Sequence, residues 1–118
     1  IDGTNEAINN YKKKFQTKII YVPGVFEIPY AVSKNLKKYD AFIVLGCVIK
    51  GETPHFDFIS KSTIDAIMRL SVENKKPIGN GILTCLNQEQ AVERADKSNK
   101  NKGKEAADAV IELLIGDN

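Results

Sequence analysis

Apolar residues fall along this chain in two kinds of pattern, which sort most of it into strands and helices. Lys18-Ile19-Ile20-Tyr21-Val22, Ala41 to Ile49 and Pro77 to Thr84 are short, nearly continuous apolar stretches. Stretches of this length, bounded by turn residues such as Pro23-Gly24, read as strands. Ala41–Ile49 lacks alternation, which predicts burial on both faces, as in a parallel sheet. Elsewhere apolar residues recur at helical spacing. Ala7, Ile8, Tyr11 and Phe15 share a face of a first helix whose start signal is Asp2-Gly3-Thr4. A second helix is expected from about Phe26, with Pro29 tolerable only in its first turn. Phe56, Ile59, Ile64, Ile67 and Met68 give a long third helix an apolar stripe. Two further helices are expected, from about Gln88 to Ala95 and from about Asn101 to Ile115.

Strands alternating with helices predict parallel βαβ units in a three-layer α/β/α sandwich. No linker, repeat or low-complexity tract divides the 118 residues, so 1–118 reads as one domain. The chain opens on Ile1 and on a helix, where such folds usually open on a strand. The sheet is therefore expected to be one strand short at its N-terminal side, in a chain that is processed or lacks a beginning.

Composition narrows the function classes. A hydrophobic share of 42% and a charged share of 27% fit a soluble globular protein, and a net charge of +2 gives no case for nucleic acid. Lys12-Lys13-Lys14 suits a solvated helix end, and the lysines after Ala95 have no aromatic residue among them for stacking on bases. No apolar run is long enough for a membrane span, and nothing resembles a signal peptide. A cytoplasmic enzyme or binding domain is the expectation. Cys47 and Cys85, with the sole histidine, cannot complete a usual zinc set. Both adjoin apolar runs and are expected to be buried thiols.

The candidate chemistry gathers in loops that leave the strands. In open parallel sheets ligands bind beyond the carboxyl ends of the strands. Pro23-Gly24-Val25-Phe26-Glu27 and Lys50 to His55 each carry a glycine and enter a helix, where backbone N–H groups can face an anion. Thr53 suits the N-cap of the third helix, with Pro54 at its first position and Asp57 in its first turn. That account leaves His55 unexplained. At a helix start the dipole favours a neutral imidazole, able to accept a proton and return it; the alternative is an ordinary surface histidine. Arg94 has two readings as well, bidentate capture of phosphate or carboxylate, or plain helix-surface charge.

Taken in order, several blocks resemble the 6,7-dimethyl-8-ribityllumazine synthase family over nearly the whole chain. They are Val22 to Pro29, Gly46 to Asp57, Gly81 to Thr84, Gln90 to Ala95 and Asn101 to Ala107. The resemblance implies a flavodoxin-like sandwich. It also implies condensation of 5-amino-6-(D-ribitylamino)uracil with 3,4-dihydroxy-2-butanone 4-phosphate, without metal or organic cofactor. It makes His55 the proton-transfer residue and places Val25, Phe26 and Glu27 on the ribitylaminouracil. Cys47, Val48 and Ile49 would contact the pyrimidine, and Glu52, Thr53, Arg94 and Lys102 the butanone phosphate. Asn80 stands where the family often has an aromatic residue near the pyrimidine. The implied unit is a homo-oligomer, a pentamer or an assembly of pentamers, with sites between subunits and no nucleic-acid or membrane partner. A binding module for lumazine or flavin that has lost turnover is the alternative.

Overall fold

Two eight-residue strands, β1 (Phe42–Ile49) and β2 (Ile78–Cys85), pair in parallel from Phe42 against Ile78 to Ile49 against Cys85. The computed structural model describes residues 1–9, 15–49, 55–85, 87–95 and 102–116, with residues 9, 55, 56, 88, 91, 94 and 95 described by backbone alone. The helices are α1 (Asp2–Asn9), α2 (Ile28–Asn35), α3 (His55–Asn74), α4 (Gln88–Ala95) and α5 (Lys102–Gly116). A single 3-10 turn, Val25–Glu27, leads into α2, and Pro29 lies in the first turn of α2, where its missing N–H costs nothing.

Side-chain alternation on the strands sends the two faces to different helices. Phe42, Val44 and Val48 of β1 and Ile78 and Ile82 of β2 join Ile28 and Val32 of α2 and Ile67 and Leu70 of α3 in one core. The opposite face is built for a close helix. A Cβ on Gly79 would lie 2.4 Å from the Ala106 carbonyl oxygen and 2.7 Å from a Val110 methyl of α5. Helix α1 lies against α5, where the Thr4 hydroxyl donates to the Gly103 carbonyl at 3.0 Å. The result is the expected α/β/α sandwich around a parallel sheet. Because Gly79 sets the approach of α5, Gly79→Ala is expected to destabilise the fold by about 1–3 kcal/mol through overpacking. Gly116→Ala, where an added Cβ meets nothing within 4 Å, should shift the denaturant midpoint little. Similar midpoints for both variants would contradict the packing account.

Three expectations are corrected. Residues 18–22 form no strand: Tyr21 is 79% exposed and Ile19 51%. In a flavodoxin-like order the second strand neighbours only the first. Among the described residues the sheet consists of β1 and β2 alone, and the segment joins neither. Second, β1 is not buried on both faces. Of its eight residues only Val44 is fully buried, because β2 is the one strand paired with it among the described residues. Third, the first helix stops at Asn9 within the described part, and Phe15 lies outside any helix. Tyr11 and Lys12–Lys14 lie outside the described residues. On α3, Ile67 is buried as expected but Met68 is 62% exposed; Thr63 takes the buried position instead.

Helix α3 closes with Lys75 in the left-handed region at φ 54°. The Lys76 N–H then reaches back to the Ser71 carbonyl at 3.2 Å. The Lys76 ammonium donates to the carbonyl oxygens of Leu36 and Tyr39. These bonds satisfy carbonyls at the end of α2 and tie it to the entrance of β2.

Candidate active site

The 3-10 turn Val25–Glu27 lies against both β1 and α3. Gly24 is extended (φ −161°, ψ 175°), and the Glu27 N–H closes the turn onto its carbonyl at 3.2 Å. What seats this turn is Gly46 of β1. A Cβ there would fall 2.8 Å from a methyl of Val25, so only glycine lets Val25 lie directly on the strand. Val25 is thereby half-buried, while Phe26 is 61% exposed and Glu27 is exposed beside it. An exposed ring next to an exposed carboxylate offers a planar heterocycle a stacking surface and its hydroxyl groups an acceptor.

Helix α3 packs against that turn and begins at His55, with Asp57 in its first turn. The backbone thus puts His55 at the positive end of a 20-residue helix that packs on the Val25–Glu27 turn. Glu52 and Thr53, with the proposed N-cap, lie outside the described residues.

Cys47, Val48 and Ile49 end β1 but do not share a face, since successive strand residues point oppositely. Val48 packs on the α2–α3 core, whereas Cys47 and Ile49 are exposed on the other side. Cys85 is buried as expected and Cys47 is not, because nothing among the described residues covers the outer end of β1. Partial burial of its sulfur still raises the Cys47 pKa, and the neighbouring Cys85 thiol adds to the shift.

The remaining candidates are carried by β2, α4 and α5. Asn80 is the third residue of β2, opposite Val44. That is about 16 Å, five residues, before the strand's carboxyl end. Its exposed side chain accepts from the Ile82 N–H at 3.0 Å. Arg94 lies in the last turn of α4 and Lys102 opens α5, its ammonium 3.9 Å from a Glu105 carboxylate oxygen. One chain therefore sets the Val25–Glu27 turn against β1 and against α3, the helix that His55 opens, and places Asn80 five residues before the end of β2. A further residue, Asn87, is not among the candidates named from the sequence: its side chain accepts from the Gln90 N–H at 2.9 Å and fixes the start of the helix that carries Arg94. The signal was present: an Asn followed three residues later by Gln marks a helix start.

Asn80→Phe removes a side-chain acceptor and adds a ring. If Asn80 faces the pyrimidine across a subunit boundary, the ring is expected to tighten pyrimidine binding by about 0.5–1.5 kcal/mol. Calorimetric titration with a pyrimidine analogue checks this, and unchanged affinity would take Asn80 out of the site.

Comparison with known proteins adds a separate line of evidence. The family model described as 6,7-dimethyl-8-ribityllumazine synthase matches residues 1–115. Among curated relatives, the protein of that name from Campylobacter curvus is 48% identical over 117 residues, covering 97% of this chain and 75% of the relative. The one from Campylobacter jejuni is 42% identical over 117 residues, covering 97% and 76%. That from Bartonella tribocorum is 41% identical over 126 residues, covering 100% of this chain and 82% of the relative.

Proposed function

The chain belongs to the 6,7-dimethyl-8-ribityllumazine synthase family, and from that premise we propose that it condenses 5-amino-6-(D-ribitylamino)uracil with 3,4-dihydroxy-2-butanone 4-phosphate. The product is 6,7-dimethyl-8-ribityllumazine, with loss of phosphate and two waters, as a step of riboflavin biosynthesis in the cytoplasm. The observation that carries the reading is the match of residues 1–115, together with a histidine opening the long helix that packs on an exposed aromatic–carboxylate turn.

In this reading the Phe26 ring and the Glu27 carboxylate hold the ribitylaminouracil beside Val25, with Cys47, Val48 and Ile49 along its pyrimidine. The aryl amine attacks the ketone, water leaves and an imine forms. Loss of a proton and of phosphate, ring closure and loss of a second water complete the lumazine. His55 takes and returns protons in these steps. Glu52, Thr53, Arg94 and Lys102 hold the phosphate, Arg94 through its planar fork. The working unit is a ring of five subunits. Tyr21, Phe26, Tyr30, Phe58, Met68 and Val72 are large apolar side chains left exposed on a single chain, and such surface is what an interface covers.

Incubating the protein with both substrates tests this directly. One fluorescent lumazine and one inorganic phosphate are expected per turnover. Tight binding of substrate or lumazine without product formation would make the protein a carrier instead.

A further inference from the structure

Cys47 and Cys85 are the only two cysteines in the chain, and the strand register brings them together. Cys47 pairs with Leu83, and Ile49 with Cys85. The two cysteines therefore lie on one face of the sheet, one strand apart and two residues out of step, at its carboxyl end. Cys47 is exposed, and Cys85 is 1% exposed. We propose that these thiols form a binding site for a soft monovalent cation of the copper(I) class, with Cys47 as the entry ligand and Cys85 as the buried one.

The spacing selects a bridging ion over a disulfide. One strand spacing and two residues of rise put the Cα atoms roughly 8 Å apart. Disulfides form with Cα atoms about 4.4–6.8 Å apart and sulfurs about 2.05 Å apart, so closure needs the backbone to move. A cation held by two bonds of about 2.3 Å keeps the sulfurs near ordinary contact distance. The Cys85 thiol lies close enough to contribute to the raised pKa of Cys47. Softness and ligand number then select the ion. Among the described residues no group of three or more Cys, His, Asp and Glu is placed to hold a metal. Two sulfurs fall short of the four ligands of structural zinc, but thiolate sulfur is the preferred donor for copper(I).

Binding releases two protons, one from each thiol, and transfers no electron, since the metal enters and stays as copper(I). Because each thiol must shed its proton to bind the metal, affinity should climb with pH, by up to about 100-fold per unit below the thiol pKa values. This site does not depend on the proposed reaction.

The test is anaerobic titration of the whole protein with copper(I) held by a chromophoric chelator. The protein is expected to withdraw one equivalent per chain, and X-ray absorption should show two sulfur neighbours. Cys47→Ser and Cys85→Ala are each expected to lower the affinity at least about 100-fold. Cys47 is exposed, so its serine variant leaves the core intact and carries the test even where Cys85→Ala fails to fold. Failure of the unaltered protein to take copper from the chelator overturns the proposal, as does a Cys47→Ser protein that binds as tightly as the original.

Discussion

His55→Ala is expected to lower turnover by about 10²–10⁴-fold, the range for loss of a positioned acid–base group, with the fold little changed. His55 is the sole histidine and opens α3. The helix keeps its alternative anchors after the change. Ile67 remains in the core and Lys76 still ties the helix's far end to α2. Alanine is also a good helix former, so the helix start should not weaken through propensity. What disappears is the only side chain at this helix start whose ordinary pKa lies near neutrality. The measurement is kcat by lumazine fluorescence beside a thermal melt. Unchanged turnover in a well-folded variant would remove His55 from the mechanism. A loss near the lower end would mean that holding the two substrates together supplies much of the rate.

Arg94→Ala is expected to weaken binding of the phosphorylated butanone by about 10–100-fold, from loss of charge-assisted hydrogen bonds worth about 1.5–3 kcal/mol. Arg94→Lys should recover only part of this, because an ammonium keeps the charge but lacks the planar fork. Affinity for ribitylaminouracil alone should change little in either variant. The separation between substrates is the informative quantity, measured by titrating each one alone. Equal losses for both would indicate damage to folding or assembly and would remove the specific role of Arg94.

Much of the architecture was legible because burial leaves a direct trace in the chain. The apolar runs of β1 and β2, Pro29 at a helix entry and the Gln88–Ala95 helix all appear where local pattern put them. Residues 18–22 were misread for a physical reason. An apolar run shows that a segment tolerates a strand, whereas a ladder also needs a neighbour to accept its hydrogen bonds. Cys47 was misplaced by the same route, since its exposure depends on what covers the end of β1. For the site, residue types could be read but not their arrangement. That Val48 turns away from Cys47 and Ile49 follows from strand alternation and was within reach of the sequence. The distance of Asn80 from the strand ends was not, because it depends on where β2 begins and on its register with β1. Nor could the sequence reveal that Gly46 seats Val25, a contact between segments about twenty residues apart.

Asn80 lies five residues before the carboxyl end of β2, and the central claim of the proposed function is that each active site is assembled from two subunits. A ring uses a head-to-tail interface, so every subunit gives one half-site and receives the other. The direct measurement mixes His55→Ala protein with Arg94→Ala protein in equal amounts, under conditions where subunits exchange and at a butanone phosphate concentration well below that which the Arg94→Ala protein binds, and follows lumazine formation. With random pairing about one boundary in four carries neither substitution, so activity should rise from the background of each variant to roughly a quarter of the unaltered protein's. Mixed assemblies that remain inactive, or an active monomer seen by light scattering, would contradict a shared site.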